Sequence, residues 1–225
     1  MWFDKYDIQS KNEGLDQDIP FDFFTKPCTE EEFEFYKKYN DDSKTHKDFK
    51  IPDDLKLPNE YIELLRYSNG GAIINKDREF GFFDINTIRE FYINYGFLVN
   101  APNILPIAFN GGGTFYGYKF SGNDKKPIIC GVHASCIGFE EDTCFLGNTL
   151  DEVLNKTYDI DDDIYEYQVK NGTIKIPTLS KEEKEKTELL QQLDTLKKDK
   201  SLGKIHLKEF LKRKRELEER LNRLE

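Results

Sequence analysis

The chain has 225 residues and a formal net charge of −10, long enough for one large domain or one domain with appendages. Hydrophobic residues make up only 37%, but 18 Phe and 12 Tyr raise the aromatic share to 14%, so large rings can build a core from few positions. No apolar run approaches the ~20 residues that span a bilayer, and the acidic balance argues against nucleic acid, which needs a basic surface.

The charge is uneven. Residues 181–225 hold 14 basic and 11 acidic residues, whereas the remainder holds 19 basic and 32 acidic, a net of −13. An acidic globular part suits a basic protein partner, because charge complementarity raises encounter rates. The four cysteines, Cys28, Cys130, Cys136 and Cys144, read as reduced thiols, two of them inside apparent strands. The start, Met1-Trp2-Phe3-Asp4-Lys5-Tyr6-Asp7, lacks the basic flank and apolar stretch of a signal peptide, so a cytoplasmic location is expected.

In chain order, residues 1–50 form an N-terminal extension, of mixed polar and aromatic character with no clear period over 1–28. Thr29 with Glu32 forms a capping-box pair and opens a helix through Phe33, Tyr36 and Tyr39 that ends near Asn40. Asn40–Lys50 is a charged loop. Leu57-Pro58-Asn59-Glu60-Tyr61-Ile62 starts the next helix, with proline at its first position, where a missing N–H costs nothing. Asn69, Gly70 and Gly71 stop it by supplying positive φ. Ala72–Asn75 and Arg78–Phe83 read as a hairpin. Thr87 with Glu90 opens a helix through Ile88, Phe91, Tyr92 and Tyr95, stopped at Gly96.

Ile104–Phe109, Thr114–Phe120 and Pro127–Val132 read as a meander with turns at Asn110–Gly113 and Ser121–Lys126. The third of these strands has no polar side chain, which places it centrally, covered on both faces. Thr143–Leu146 is a further strand, and Thr149 with Glu152 caps a short helix with Val153 and Leu154. Tyr165–Lys170 and Thr173–Ile176 flank Asn171-Gly172, the usual type I′ pair, and are predicted to form a hairpin spanning 164–177. Ser180 with Glu183 then opens a tail of two helices broken at Ser201-Leu202-Gly203. Leu189, Leu193 and Leu196 line its first helix; Leu207, Phe210, Lys214, Leu217, Leu221 and Leu224 form a heptad seam in its second. The tail's leucines suit self-association or docking.

The segment Leu57 to Leu154 carries a resemblance. Its motifs are Leu57, Pro58, Tyr61 and Leu64, then Asn69, Gly70 and Gly71, then Pro106, Ala108, Phe109, Gly111, Gly112, Gly113 and Tyr116. In this order they resemble the SUKH superfamily, the fold shared by Smi/Knr-type cell-wall regulators and many bacterial toxin-immunity proteins. The family commonly carries an acidic residue among the hairpin glycines, and this chain has none. The resemblance implies an α+β fold: a mostly antiparallel sheet with flanking helices, here followed by a C-terminal helical hairpin. The globular domain then spans 1–178, with its core motif at 55–156, and the tail spans 180–225. It also implies a non-catalytic immunity protein that neutralises a cognate toxin, such as a nuclease, by direct binding, or alternatively a regulatory scaffold.

Other chemistries fit the residues less well. Cys130-x2-His133-x2-Cys136 with Cys144 offers zinc-type ligands, but not as the paired spacings of a zinc knuckle, so buried core thiols are the preferred reading and a zinc enzyme a distant third. Asp159-x-Asp161-x-Asp163 resembles the start of a calcium loop, but Ile164 and Lys170 stand where glycine and glutamate are needed. Gly111-Gly112-Gly113 is followed by strand residues rather than a helix, so it reads as a turn, not a phosphate cradle. No nucleophile–base pair stands out among His46, His133 and His206. The expectations are therefore no enzyme activity and no cofactor, and a basic protein partner held by Asp159, Asp161, Asp162 and Asp163, with Tyr116 and Tyr118 as aromatic anchors.

Overall fold

Among the described residues, seven strands pair in sequence order into one antiparallel sheet, β1 to β7. They are β1 (Ile8–Gln9), β2 (Gly71–Asn75), β3 (Arg78–Phe82), β4 (Ile104–Phe109), β5 (Thr114–Lys119), β6 (Ile128–His133) and β7 (Cys144–Gly147). The computed structural model describes residues 1–20, 22–40, 44–122, 126–174, 181–202 and 204–221, leaving out the side chains of 181–184 and 187. The chain divides into two compact units, Met1–Ile174 and Lys175–Glu225.

The first unit holds α1 (Glu30–Tyr39), α2 (Asn59–Tyr67), α3 (Ile85–Asn94), α4 (Phe97–Asn100), α5 (Leu150–Leu154) and α6 (Ile160–Lys170). Helices cover both faces of the sheet. Tyr118 meets Tyr61 of α2 edge to face, and its hydroxyl donates to a Glu60 oxygen, whose twin accepts the first N–H of α5 from Leu150. On the opposite face Phe115 is ringed by Phe91 of α3, Tyr95 at its C-cap, Phe97 of α4 and Phe109. α1 packs against α3. The expected α+β class and antiparallel sheet are therefore present.

Local chemistry explains most boundaries. Thr29 and Glu32 form the full reciprocal capping box of α1. Gly70 and Gly71 leave α2 at φ +96 and +148, and a Cβ on Gly71 would lie 3.0 Å from the Phe82 ring. Pro58 is the N-cap of α2, one place earlier than expected. The Thr87 start is also corrected: α3 begins at Ile85, because Asp84 Oδ1 accepts from the N–H groups of Asn86 and Thr87. Aspartate caps at least as well as threonine, and the buried Ile85 belongs inside the helix. β6 lies beside the edge strand β7 rather than in the centre, although Ile129 to Val132 are buried as expected.

The largest correction falls on the hairpin at 164–177. Residues 165–170 are helical, the last turns of α6. Asp159 caps the helix, Asp161, Asp162 and Asp163 complement the positive end of its dipole, and Lys170 the negative end. Asn171-Gly172 serves as a helix stop: Gly172 has φ +74, its N–H reaches Val169 O, and Thr173 N–H reaches Gln168 O. That pair of bonds is a Schellman motif. The expected second strand partly falls on residues 175 and 176, outside those described.

The second unit holds α7 (Lys181–Ser201) and α8 (Leu207–Leu221), which pack on each other. Leu189, Leu193 and Leu196 are buried. In α8, Phe210, Leu217 and Leu221 are half-buried and Leu207 and Leu211 exposed. The Ser180 cap, the Gly203 break and Leu224 lie outside the described residues.

Candidate functional site

The turn between β4 and β5 is built by Asn110, whose Oδ1 accepts from the N–H groups of Gly112 and Thr114, both at 2.9 Å. The same residues hold the start of α6. Asn110 Nδ2 donates to Asp159 Oδ1 at 3.4 Å, and Thr114 Oγ1 donates to Asp161 Oδ1 at 2.5 Å. The glycine turn and the aspartate run, read from sequence as separate features, thus meet at one end of the sheet. A Cβ on Gly111 would lie 3.4 Å from the Glu79 carboxylate, and one on Gly113 would lie 2.9 Å from His133 Nε2. The turn has no acidic residue of its own, but carboxylates from β3 and α6 flank it.

The four aspartates divide into distinct roles. Asp161 and Asp162 are exposed, and Asp159 is half-exposed at the N-cap. Asp163 is buried and belongs to the scaffold. It accepts from Arg78 Nη2 at 2.5 Å, Lys156 Nζ at 2.8 Å and the Tyr158 hydroxyl at 3.1 Å. The Tyr158 ring also covers the Arg78 guanidinium at 5.2 Å. A strand at 165–170 would have removed Asp163 from this pocket; the helix turns it inward together with Ile160 and Ile164.

Tyr116 and Tyr118 are fully buried, so as anchors for a surface partner they are corrected: neither ring offers area to one. Their strand faces α2 and α6, and alternation carries both inward. Burial pushes both phenols upward, and the hydroxyls are taken by Glu79 O and Glu60 Oε1.

Cys130 and Cys144 lie on adjacent strands one register step apart, Cys130 opposite Phe145 and Gly131 opposite Cys144. Loss of solvent raises both thiols to about 12 and Cys28 to about 11, far from the thiolate a metal or a substrate would need. His133 is exposed, and its Nδ1 caps the Ala134–Cys136 turn through Ser135. Among the described residues no group of three His, Cys, Asp or Glu is placed to hold a metal. No described helix is long and apolar enough to cross a membrane.

A second charged feature went unread in the sequence. Arg89 of α3 is buried and donates to both Glu32 oxygens, at 2.6 and 2.9 Å, and to the Phe23 carbonyl at 3.1 Å. It ties the N-terminal extension and α1 to α3. Burial alone would raise the Glu32 carboxyl; the Arg89 bonds and the Thr29 N–H overcome it and lower it to about 2. A groove lined by Phe23, Phe35, Glu90 and Ile93 runs above this pair, but the guanidinium is already engaged by Glu32 and loop carbonyls, leaving little for an anion. The only sequence signal was an arginine on the apolar stripe of a helix.

No curated protein matches the chain. The model of the SMI1 / KNR4 family (SUKH-1) matches residues 27–156, more than half of the sequence. That span runs from the approach to α1 through the glycine turn to the end of α5, so the motifs that suggested the resemblance lie within it. On this match the chain belongs to the SMI1 / KNR4 family (SUKH-1).

Proposed function

We propose that this chain is a non-catalytic protein-binding domain of the immunity type, which neutralises a toxin by direct contact in the cytoplasm. The observation that carries the reading is the acidic end of the sheet. Asp159, Asp161 and Glu79 flank a fixed glycine turn, with Asp162 exposed next in α6, in a chain whose residues before 181 carry a net of −13. Carboxylates held on rigid elements can mask the basic active site of a toxin, such as a nuclease, without chemistry of their own. The buried thiols and the occupied His133 supply no activated nucleophile, which supports the same reading.

The test is co-expression with the protein encoded beside this gene. Restored growth, together with a complex of the purified proteins, is expected. Unrelieved toxicity with no complex would contradict the proposal and favour a regulatory scaffold of the Smi/Knr type. One observation supports that second reading: a separate helical unit whose α8 exposes Leu207 and Leu211, suited to self-association or a second partner.

A further inference from the structure

α1 packs against α3, and an open groove of about 430 Å³ is lined by both helices. Each helix contributes one stripe. Glu31 and Phe35 stand at i and i+4 on α1, and Asn86, Glu90 and Asn94 at i, i+4 and i+8 on α3. Phe23 and Ile93 add to the apolar lining. The aromatic surface continues along α1. Phe35 is 51% exposed and Tyr39, one turn on, 64%, with their ring centroids 4.9 Å apart. The polar groups left free in this groove are acceptors. Glu32 and Arg89 are spent on each other. Glu31 and Glu90 are exposed, and neither forms an ion pair with a described residue. Glu90 Oε1 takes only a long 3.5 Å bond from Asn94 Nδ2 among the described residues. Asn94 Oδ1 is enclosed and accepts from no described residue. The lining ammonium, Lys26, lies 5.2 Å from the Phe23 ring centroid, so the groove already draws one cation onto a ring.

We propose that the groove between α1 and α3 receives an arginine side chain from a partner protein, with Phe35 as its stacking face and Glu31 and Glu90 as its acceptors. The proposal rests on the protein-binding reading above and adds a second contact surface, since α3 and α6 cover opposite faces of the sheet. A guanidinium fits this lining better than an ammonium. It is planar, stacks on aromatic rings, and donates to several acceptors at once. Its methylene stem can lie along Phe23 and Ile93 while the charged head stays near the carboxylates. The volume falls within the ~300–1,000 Å³ of small-ligand sites, which suits a side chain with its flanking backbone rather than a whole helix. A second copy is a poor occupant. Among the described residues every exposed arginine is already in an ion pair: Arg66 with Asp18, Arg213 with Glu209, Arg215 with Glu219 and Arg220 with Glu185.

The experiment follows the labelled full chain by NMR at low ionic strength as a capped five-residue peptide is added, one arginine flanked by glycine and serine. The same peptide with lysine, and with citrulline, which keeps the shape and loses the charge, serve as comparisons. The expected result is saturable shifts at Glu31–Phe35 and Asn86–Asn94, strongest binding for arginine, and weakest for citrulline. Phe35→Ala should weaken arginine binding about threefold. Glu31→Gln with Glu90→Gln should weaken it about fivefold, less at high salt. Glu63→Gln with Glu166→Gln removes the same charge from α2 and α6, on the other face, and should change it by less than about twofold. Equal affinity for arginine and citrulline, shifts confined to other surfaces, or equal weakening by both double variants would overturn the proposal. Groove shifts that depend on protein concentration without peptide would overturn it too, by making a second copy the occupant. Toxin rescue is measured separately. Rescue without arginine binding would remove this surface and leave the immunity reading intact; arginine binding without rescue would do the reverse.

Discussion

Arg78, fully enclosed on β3, donates to Asp163 of α6 at 2.5 Å, joining two residues 85 positions apart. Lys156 and Tyr158 complete the enclosure from the loop between α5 and α6. Removing one partner leaves the other charge buried and unpaired, which costs far more than the pair contributes. Asp163→Ala should therefore destabilise the first unit by about 3–5 kcal/mol in urea unfolding. Arg78→Met with Asp163→Leu, which removes both charges, should recover part of that loss. Equal stability of Asp163→Ala and the parent chain would show that α6 is held by other contacts.

The exit from α2 gives a second expectation. Gly70 and Gly71 both lie at positive φ, and a side chain on Gly71 meets both the Phe82 ring and Gln9 O. Valine at either position should destabilise by about 1 kcal/mol or more, with Gly71→Val the worse. Thermal melts of the two variants are the check; unaltered melting in both would place the helix end elsewhere.

The Glu32–Arg89 pair predicts an acid dependence. The Glu32 carboxyl sits at about 2 against an ordinary 4.5, so the folded state holds the ionised form more tightly than the unfolded chain does. Its stabilisation is fully present above about pH 4.5 and is lost as pH falls through about 2. Urea midpoints measured between these values should fall steeply for the parent chain. For Glu32→Gln they should start lower at neutral pH and fall less.

Thiol reactivity separates the core from the surface. Cys28, Cys130 and Cys144 are buried with raised thiols, whereas Cys136 is partly exposed. A thiol reagent at mildly alkaline pH should modify Cys136 first, and the other three only as the protein unfolds. Rapid modification of all four in the native protein would contradict the packed β6–β7 core.

Where local signals agreed with the tertiary environment, the sequence was legible. Alternating burial and glycine turns placed β2 to β7 to within a residue or two, because a slip of one would have turned Phe80, Tyr116 and Ile129 to solvent. The segment at 165–172 failed for the same physical reason in reverse. Tyr165, Tyr167 and Val169 alternate like a strand, and Asn-Gly suits either a hairpin turn or a helix stop. The deciding contact, Asp163 with Arg78, joins residues 85 positions apart and leaves no local trace. The candidate site was legible in part. The aspartates were visible as a run, but only their capping geometry separates exposed Asp161 and Asp162 from enclosed Asp163. Tyr116 and Tyr118 shared a face as read, and that face turned inward.

The most direct test of the acidic face is the association rate of the purified chain with the protein encoded beside its gene, for the parent and for Asp161→Asn with Asp162→Asn. Both aspartates are exposed, neither is the N-cap, and an asparagine at 161 keeps an oxygen to accept from the Thr114 hydroxyl, so the fold should survive the change. Rim charges govern encounter more than residence, and salt screens them. The expected result is a complex whose formation slows several-fold in the variant at low ionic strength, with the difference shrinking as salt is added. A complex that forms at the same rate in both proteins at every salt concentration, or no complex at all, would contradict it.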